Sequence, residues 1–453
     1  MKWLIDRFSS AGQAVAFIHD GVKATYEEVA HMVSEFSGEL KSRGVKAGDR
    51  VVIAGDYSPE VFCLLLAVCR LGGIAIPLSA SSIIEKDTAL SVSGCDFLVA
   101  FDADNRTWTV TKETVVVDND LLRSFRESGK GGLILFSSGS TGQPKGILHD
   151  FELVCEKFRK QRDPVVAIPF LMIDHFGGIN TILSITANQG TVVTIADRAV
   201  ASVCKAIEEF KVELLPTTPS FLTLLMASNA HKNYDMKSLR LITYGTEVMP
   251  QSTLNRVKTA FPGTRLLQTY GLSEVGVLRS RSKDDGSLWV KVGGDGFQTK
   301  VVNGILWVKS NFAMVGYLNA PSEFDDEGWF NTQDRVESDG EYIKILGRVT
   351  DVINVAGQKV YPSEVEDVIL SMDNIADVSV FAEPHELLGN IVVARILTVE
   401  PELIENLKPR IRRECKRHLS NYKIPVKFEL VEGELYNNRH KKIRRLVHRS
   451  PAT

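Results

Sequence analysis

A short segment rich in serine, threonine and glycine is the part of this chain best suited to chemistry. It spans residues 137–146 with the sequence SSGSTGQPKG and follows an apolar run, 133–136, that predicts a buried strand. Glycines let backbone N–H groups approach an anion closely, hydroxyl groups add donors, and Lys145 adds a positive charge. Such a loop is suited to binding polyphosphate.

The segment differs from a Walker A loop, which ends in Gly-Lys-Ser/Thr and opens a helix. Here Pro144 precedes the lysine and Gly146 follows it. Proline has no N–H group and disfavours a helical residue before it, so this loop must close in another way. A flexible Gly/Ser surface turn is the alternative interpretation of the segment taken alone.

The composition is that of an ordinary globular protein. The chain has 453 residues, enough for two or more domains, with 44% hydrophobic residues, 24% charged residues and a formal net charge of −3. This charge gives no general attraction to nucleic acid or to anionic membranes. The six cysteines are scattered without a CxxC pair, which favours buried, reduced thiols over a metal site. The N-terminus lacks a secretory signal and the apolar run 61–77 is too short and interrupted to span a membrane, so we expect a cytoplasmic protein.

Strand-like and helical segments alternate through most of the chain. The clearest strand-like runs are 51–54, 97–100, 165–168, 191–195 and 239–242, and the clearest helical stretches are 26–41, 60–71 and 200–210. This alternation predicts α/β layers with largely parallel sheets. From residue 301 short strands and turns take over, beginning with a hairpin around Asn303-Gly304.

A smaller unit is predicted after Gly347-Arg348. It contains a helix at 363–371, strands at 378–382 and 391–397, and a long basic helix at 401–419. We therefore predict a large multi-sheet α/β N-terminal domain, residues 1–348, and a smaller α+β C-terminal domain, residues 351–453.

Further motifs follow the first loop at wide spacing. They are TYGLSE at 269–274, GWFNTQD at 328–334, GRVTDVI at 347–353, GQKVYPSEVE at 357–366 and HKKIRR at 440–445. In this order they resemble the adenylate-forming superfamily of acyl-CoA synthetases, peptide-synthetase adenylation domains and luciferases, over nearly the whole chain. The resemblance implies that ATP and a carboxylic acid give an acyl-adenylate and pyrophosphate, and that a thiol then takes the acyl group. Because two anions must meet, their charge must be neutralised and both must be positioned.

The resemblance also implies which residues bind the nucleotide. They are Ser137, Ser138, Gly139, Ser140, Thr141, Gly142, Lys145, Gly245, Thr246, Glu247, Tyr270, Gly271, Asp334 and Arg348. Among them, Tyr270 would stack on adenine, or be a core tyrosine, and Asp334 would bind the ribose hydroxyls. Ser273 would reach the α-phosphate. Glu274 would bind Mg²⁺, with Thr141 beside it, because carboxylate and hydroxyl oxygens suit this ion; a solvated loop acid is the alternative for Glu274.

Two positions depart from the family pattern. Thr246 stands where a second glycine is common, which leaves the backbone path of 245–247 open. Lys441 replaces the glycine of the pattern Gly-Lys-Ile-x-Arg, whereas Lys442 keeps the lysine that bridges carboxylate and α-phosphate during adenylation. A basic patch for nucleic acid is the alternative interpretation of 439–445.

The C-terminal domain would move between the two steps of the reaction. By the resemblance, Asp351 is the hinge that absorbs the rotation. Gly357, Gln358 and Lys359 would then face the active site and line the thiol channel.

The acyl group is expected at segment 169–178. His175 matches the residue that guards the acyl pocket in many CoA ligases and joins Lys442, Glu274 and Ser273 as a catalytic candidate; a core histidine is the alternative. Asp174, Phe176 and Gly177 would line the same pocket. Asp174 would pair with a substrate ammonium or be a structural acid. The apolar, glycine-rich surroundings favour a flat or slender acid without an amino group.

These features together predict an ATP-dependent acid–thiol ligase, an acyl- or aryl-CoA synthetase that forms AMP and pyrophosphate. Its expected ligands are a carboxylic acid, ATP, Mg²⁺ and coenzyme A, with no nucleic acid. An enzyme that loads an acyl or amino acid onto the pantetheine of an acyl carrier protein is the alternative. A non-catalytic nucleotide-binding protein is a rival of another class, and the joint presence of Lys442, Glu274 and Asp334 argues against it.

Overall fold

The computed structural model describes residues 1–80, 86–137, 144–431 and 435. The elements of the first part are α1 Lys2–Ala11, β1 Val15–His19, β2 Val22–Thr25, α2 Tyr26–Ser42, β3 Arg50–Ala54, α3 Pro59–Arg70, β4 Ile74–Leu78, α4 Lys86–Ser93, β5 Cys95–Phe101, β6 Trp108–Val115, α5 Asp120–Glu127, β7 Gly132–Ser137, β8 Lys145–Asp150 and α6 Phe151–Glu156.

The middle of the chain continues the alternation and then turns to strands. Its elements are β9 Val166–Ala167, α7 Phe176–Ala187, β10 Thr191–Val193, α8 Val200–Phe210, β11 Leu214–Thr217, α9 Pro219–Ser228, β12 Leu241–Tyr244, α10 Gln251–Ala260, β13 Arg265–Gln268, β14 Gly271–Leu272, β15 Gly276–Val277, β16 Arg279–Ser282, β17 Trp289–Gly293, β18 Phe297–Val302, β19 Ile305–Ser310, β20 Gly316–Tyr317, β21 Phe330–Asp339 and β22 Tyr342–Arg348.

The last part has a small sheet with two helices. Its elements are β23 Ile353–Val355, β24 Gln358–Val360, α11 Pro362–Leu370, β25 Ile375–His385, β26 Gly389–Thr398, α12 Ile404–His418 and β27 Lys427–Leu430. The basic helix α12 begins three residues later than the sequence predicted, after Pro401.

Two seven-stranded sheets form the body of the molecule. Sheet I has the order β13-β12-β11-β9-β10-β1-β2, and sheet II has the order β20-β8-β7-β4-β3-β5-β6. The pairs from β13 to β1 in sheet I, and from β7 to β5 in sheet II, are parallel, and antiparallel strands complete the edges. The predicted α/β class with largely parallel sheets is confirmed; β2 in sheet I, and β6, β8 and β20 in sheet II, are the antiparallel additions.

The helix α3 shows how sequence produces burial. Ser58 caps its N-terminus by accepting from Val61 N at 3.0 Å, and Pro59 occupies the first turn, where its missing N–H costs nothing. The residues from Val61 to Cys69 are all buried, and the helix belongs to the largest hydrophobic cluster. An all-round apolar helix is stable only in such a position, which agrees with its reading as a core helix rather than a membrane segment.

Six strands between residues 279 and 348 build an antiparallel sheet III with the order β16-β17-β22-β21-β19-β18. The predicted hairpin around Asn303-Gly304 is confirmed as β18 and β19; both turn residues have positive φ (53° and 75°), as an Asn-Gly turn requires. Sheet IV, β25-β26-β27, packs with α11 and α12 around a core of its own.

The structure also bears on the state of the cysteines and on membrane-spanning helices. All six cysteines are buried and free of disulfides. Within the described ranges, no helix is long and apolar enough to cross a membrane.

Candidate active site

Two antiparallel strands flank the segment predicted to bind phosphate, which we call the phosphate loop. β7 ends at Ser137 and β8 begins at Lys145, and these residues face each other in the ladder. Lys145 Nζ donates to Glu323 Oε1 at 2.6 Å and lies 4.7 Å from the centroid of the Tyr317 ring. A carboxylate and an aromatic face therefore hold the loop's cation. The expected ligands Ser138, Gly139, Ser140, Thr141 and Gly142 lie outside the described residues, as does Lys442.

The hairpin of β14 and β15 presents Ser273 and Glu274 in its turn. The Tyr317 hydroxyl donates to Glu274 Oε1 at 2.8 Å, and Met314 N donates to the Glu274 carbonyl at 2.8 Å. Burial, and then the nearby Glu274 carboxylate, raise the pKa of Tyr317 above its ordinary value. Tyr317 thus remains a hydrogen-bond donor and connects the cation of the phosphate loop with the carboxylate of the hairpin.

Asp334 lies in a second polar group beside this hairpin. It is buried, and its Oδ2 accepts from the Tyr270 hydroxyl at 2.6 Å, while Arg348 Nε lies 3.5 Å from Oδ1. Burial raises the pKa of Asp334, and Arg348 and Tyr270 oppose that shift. Tyr270 is itself buried in the hydrophobic cluster of sheet III. Arg348 is attracted electrostatically to both Asp334 and Glu274, so one guanidinium acts on both carboxylates of the site.

The turn 245–247 follows β12 and has an unusual backbone. A Cβ on Gly245 would lie 2.5 Å from Thr269 Oγ1, so only glycine fits there. Thr246 has a φ of 72°, the left-handed conformation that β-branched residues avoid. The backbone therefore takes the path that a second glycine would take, and threonine bears the strain. The Glu247 carboxylate accepts from the hydroxyl and the backbone N–H of Ser220, at the start of α9, which fixes the turn.

Unpaired polar atoms mark the carboxyl edge of sheet I. Thr217 and Gln268, the last residues of β11 and β13, are buried, and within the described ranges Thr217 Oγ1 and Gln268 Oε1 have no hydrogen-bond partner. Buried polar atoms without partners are rare in folded proteins. In open α/β sheets, ligands bind outside the carboxyl ends of the strands, so these atoms fit an edge that receives a polar ligand.

The acyl segment is a fixed turn before α7. His175 caps this helix, with Nδ1 accepting from Gly177 N at 3.0 Å, and Phe176 begins it. Asp174 is buried, and its Oδ2 accepts from the Ser79 hydroxyl at 2.8 Å. Electrostatic attraction also connects Asp174 with the partly buried Arg198, whose Nε donates to the Phe170 carbonyl at 2.6 Å. Asp174 is thus held by groups of the protein itself, the geometry expected of a structural acid.

Among the C-terminal candidates that the structure describes, Asp351 lies close enough to Asp334 and Arg348 to act electrostatically on both. Asp351 ends the exposed turn Val349–Asp351, directly after β22. Gly357, Gln358 and Lys359 are exposed on the hairpin of β23 and β24. The C-terminal region contacts α10, where Ser252 donates to Asp367 Oδ1 from its backbone N (2.9 Å) and its hydroxyl (2.7 Å).

Sequence reasoning missed Tyr317, Glu323 and Ser220. Tyr317 reaches the site because β20 pairs with β8, and its neighbours along the chain give no sign of that pairing. The only local signal is the Gly-Tyr pair on a short strand. Ser220 was hidden because its partner Glu247 lies on the next strand–helix crossover.

Comparison with known proteins identifies the family. A model of the AMP-binding enzyme family matches residues 6–318, and a model of the AMP-binding enzyme C-terminal domain matches residues 364–442. The chain belongs to the AMP-binding enzyme family.

Its relatives cover almost its full length. The indoleacetate–CoA ligase of Aromatoleum aromaticum is 25% identical over 94% of this chain and 93% of its own. The long-chain-fatty-acid–CoA ligase FadD13 of Mycobacterium tuberculosis is 26% identical over 91% and 90%. The solved structure of the anthranilate CoA ligase AuaEII with anthranoyl-AMP has a TM-score of 0.83 at 19% identity, covering 97% of this chain and 95% of that one. The predicted superfamily is confirmed.

Proposed function

We propose that this protein is an acid–thiol ligase that activates a carboxylic acid with ATP and transfers the acyl group to coenzyme A. The observation that carries the proposal is the convergence of Lys145, Glu274 and Asp334 through Tyr317, Tyr270 and Arg348. The curated relatives above, which are named as CoA ligases, support the acceptor.

The proposed reaction has two steps, adenylation of the acid and transfer of the acyl group to CoA. The acid's carboxylate oxygen attacks the α-phosphorus of ATP, the bond to the bridging oxygen breaks, and pyrophosphate leaves. The CoA thiolate then attacks the acyl carbon, and the bond to AMP breaks, giving acyl-CoA and AMP. The first step brings two anions together, so its barrier falls when cations and donors surround them.

The site residues divide this work. The loop 137–145 would bind the β- and γ-phosphates, with Lys145 exchanging Glu323 for a phosphate oxygen. Gly245, Thr246, Glu247 and Gly271 would border adenine, and Tyr270 would stack on it while its hydroxyl orients Asp334. Asp334 and Arg348 would bind the ribose. Ser273 would donate to the α-phosphate and His175 would border the acyl carbon.

Magnesium fits the same site. Glu274 and Thr141 offer the hard oxygen ligands that this ion prefers. The Tyr317 donor on Glu274 Oε1 would fix the carboxylate's orientation. When bound, Mg²⁺ supplies positive charge to the phosphates.

We further propose that residues 1–348 form the nucleotide-binding domain and 351–453 a mobile domain. Lys442 would bridge carboxylate and α-phosphate in the first step. After rotation at Asp351, Gly357, Gln358 and Lys359 would line the path of the thiol. The exposed position of all three on the β23–β24 hairpin is compatible with such a movement.

The test is ATP–pyrophosphate exchange across aromatic, fatty and amino acids, followed by AMP release on addition of CoA. We expect exchange with acids that lack an amino group and CoA-dependent AMP release. Exchange without any response to CoA would favour a carrier-protein acceptor. Absence of exchange with every acid would refute the adenylation step.

A further inference from the structure

A lysine lies between the two elements that border the proposed acyl site. Lys157 follows α6, and its Nζ donates to Asn180 Oδ1 on α7 at 2.6 Å and to the carbonyl of Val277 on β15. Val277 pairs with Gly271 across the hairpin that carries Glu274. The amine is thus enclosed between the helix that begins after His175 and the Glu274 hairpin.

In the part of the chain that the structure describes, this amine has no counter-ion. Among residues 1–80, 86–137, 144–431 and 435, no carboxylate lies within ion-pair distance of Lys157 Nζ. The charged groups that act on it are Arg162 and Arg279, both cations. Burial, and then these two arginines, lower the pKa of Lys157 to about 7. Its two acceptors, the Asn180 amide oxygen and the Val277 carbonyl, are neutral, and a desolvated ammonium in a positive environment is unfavourable without an opposite charge.

A buried histidine without hydrogen-bond partners among the described residues packs against the same helix. His149, on β8, is fully buried, and neither ring nitrogen has a hydrogen-bond partner in the described part of the chain. Its ring centroid lies 4.9 Å from that of Phe176, the first residue of α7. Burial lowers the pKa of His149 to about 3, so the ring is neutral and offers one donor and one acceptor.

The two groups share one face of α7. Phe176, against which His149 packs, and Asn180, to which Lys157 donates, are four residues apart and therefore neighbours on the helix surface. Two nitrogen groups without acidic partners thus lie one helical turn apart, in an interior where leucine or methionine would be more stable.

We propose that His149 and Lys157 form a recognition site, along this face of α7, for an oxygen function at the far end of the acyl group. The inference rests on the proposed function, because it takes α7 as a wall of the acyl pocket. The group recognised is a hydrogen-bond acceptor: a second carboxylate, a hydroxyl or a carbonyl oxygen. Lys157 donates to that oxygen and His149 completes its hydrogen bonding. The acid is therefore an oxygenated one rather than a simple alkyl or phenylalkyl acid.

Matched acids test the proposal. The probes are hexanoate, 6-hydroxyhexanoate and hexanedioate, and 3-phenylpropanoate with its 4-hydroxy and 4-carboxy derivatives. ATP–pyrophosphate exchange is measured for the wild type, Lys157→Met and His149→Leu, with Lys130→Met as the control at an exposed lysine paired with Asp150. We expect an oxygenated member of at least one series to exceed its parent about tenfold or more in kcat/KM.

The variants separate recognition from support of the fold. Lys157→Met should abolish that preference mainly through KM of the oxygenated acid, leaving the parent acid nearly unchanged. His149→Leu should reduce it several-fold and raise thermal stability. Lys157→Gln, which retains a donor, should keep part of the preference. Equal loss for all acids, or a wild type that favours the unsubstituted parents, would overturn the proposal.

A direct binding measurement tests the same preference without requiring catalytic turnover. Calorimetric titration with the sulfamoyl-adenosine analogues of the same acids should give tenfold tighter binding of the preferred oxygenated member, lost in Lys157→Met. Equal binding of parent and oxygenated analogues would overturn this inference alone. Failure of every analogue to bind would overturn the proposed adenylation together with it.

Discussion

The proposed phosphate side of the site, around Lys145, Glu274 and Asp334, and the proposed acyl side, around His149 and Lys157, differ in how their charged groups are paired. On the phosphate side each charged group that the structure describes has a partner: Lys145 has Glu323, Glu274 has Tyr317, and Asp334 has Tyr270 and Arg348. On the proposed acyl side His149 is fully buried and Lys157 is half-buried beside α7, and neither has an acidic partner among the described residues.

The difference follows from what each side has to bind. Partners on the phosphate side keep ionised groups oriented in the absence of a ligand, which lowers the reorganisation needed when polyphosphate arrives. A buried basic group without an acid is unfavourable until a ligand supplies the acceptor. We infer that the phosphate side is organised before binding and that the acyl side derives selectivity from its deficit.

The largest effect is expected from replacing Lys442, the residue proposed to bridge carboxylate and α-phosphate. Lys442→Ala should lower acyl-adenylate formation by roughly 100- to 1,000-fold, because charge develops between carboxylate and α-phosphate. Transfer from a supplied acyl-adenylate to CoA should remain nearly intact. Single-turnover measurement of each step decides this. Asp351→Pro is the converse variant: proline fixes φ near −65°, so it should hinder the rotation and slow transfer to CoA. Equal loss of both steps in Lys442→Ala would contradict the role proposed for Lys442.

Glu274→Gln tests the organised phosphate side. The exchange rate should fall about 100-fold, because the substitution removes the proposed ligand charge at Mg²⁺ but keeps the shape. Tyr317→Phe, which removes only the donor to Glu274 Oε1, is the matched variant and should cost about tenfold less. Both are measured as exchange rate against Mg²⁺ concentration, with circular dichroism to verify folding. Unchanged exchange in Glu274→Gln would end the metal assignment.

The two sides also differ in how far the sequence revealed them. Phosphate-side residues sit in local motifs whose composition reflects their chemistry, so the loop at 137–146 and the TYGLSE motif led to the family. Tyr317 and Glu323 could not be predicted as site residues because contacts between segments distant in sequence bring them to the site. Lys157 and His149 carry no local signal, since the lack of an acidic partner among the described residues is a property of the folded chain and not of the neighbouring sequence.

Backbone conformation was equally hidden. The segment 245–247 was identified from its resemblance, but whether Thr246 could follow a glycine's path was left open. The α/β class was predictable because hydrophobic periodicity is a local property. The positive φ of Thr246 is imposed by neighbours that are distant in sequence, including the contact of Glu247 with Ser220.

A third prediction concerns pH and the acyl side. Lys157 has a pKa of about 7 in the folded protein against an ordinary value of 10.5. Between these values the unfolded chain holds a proton that the folded chain lacks, so stability should rise with pH from 7 to 9, by up to about 1.4 kcal/mol per unit. In Lys157→Met that contribution disappears. Urea unfolding at pH 7, 8 and 9 measures it. Lys130→Met should retain the wild-type dependence of stability on pH. The hydrogen bond to Asp150 raises the pKa of this exposed lysine, so it stays protonated from pH 7 to 9. Parallel plots of unfolding free energy against pH for wild type and Lys157→Met would contradict the prediction.

The smallest effect tests whether the phosphate side stores strain. Thr246 is a β-branched residue at a φ of 72°, which costs on the order of 1–2 kcal/mol, while glycine there loses about 0.5–1 kcal/mol of unfolded-state entropy. Thr246→Gly should therefore stabilise the protein by roughly 0.5–1 kcal/mol in urea unfolding. Its exchange activity should fall, because the side chain proposed to border adenine is lost. Asn303→Gly, at a φ of 53° in the β18–β19 hairpin, is the control; asparagine tolerates this conformation, so stability should change by only a few tenths of a kcal/mol. If Thr246→Gly destabilises the protein, contacts of the threonine outweigh its strain, and the turn is supported rather than strained.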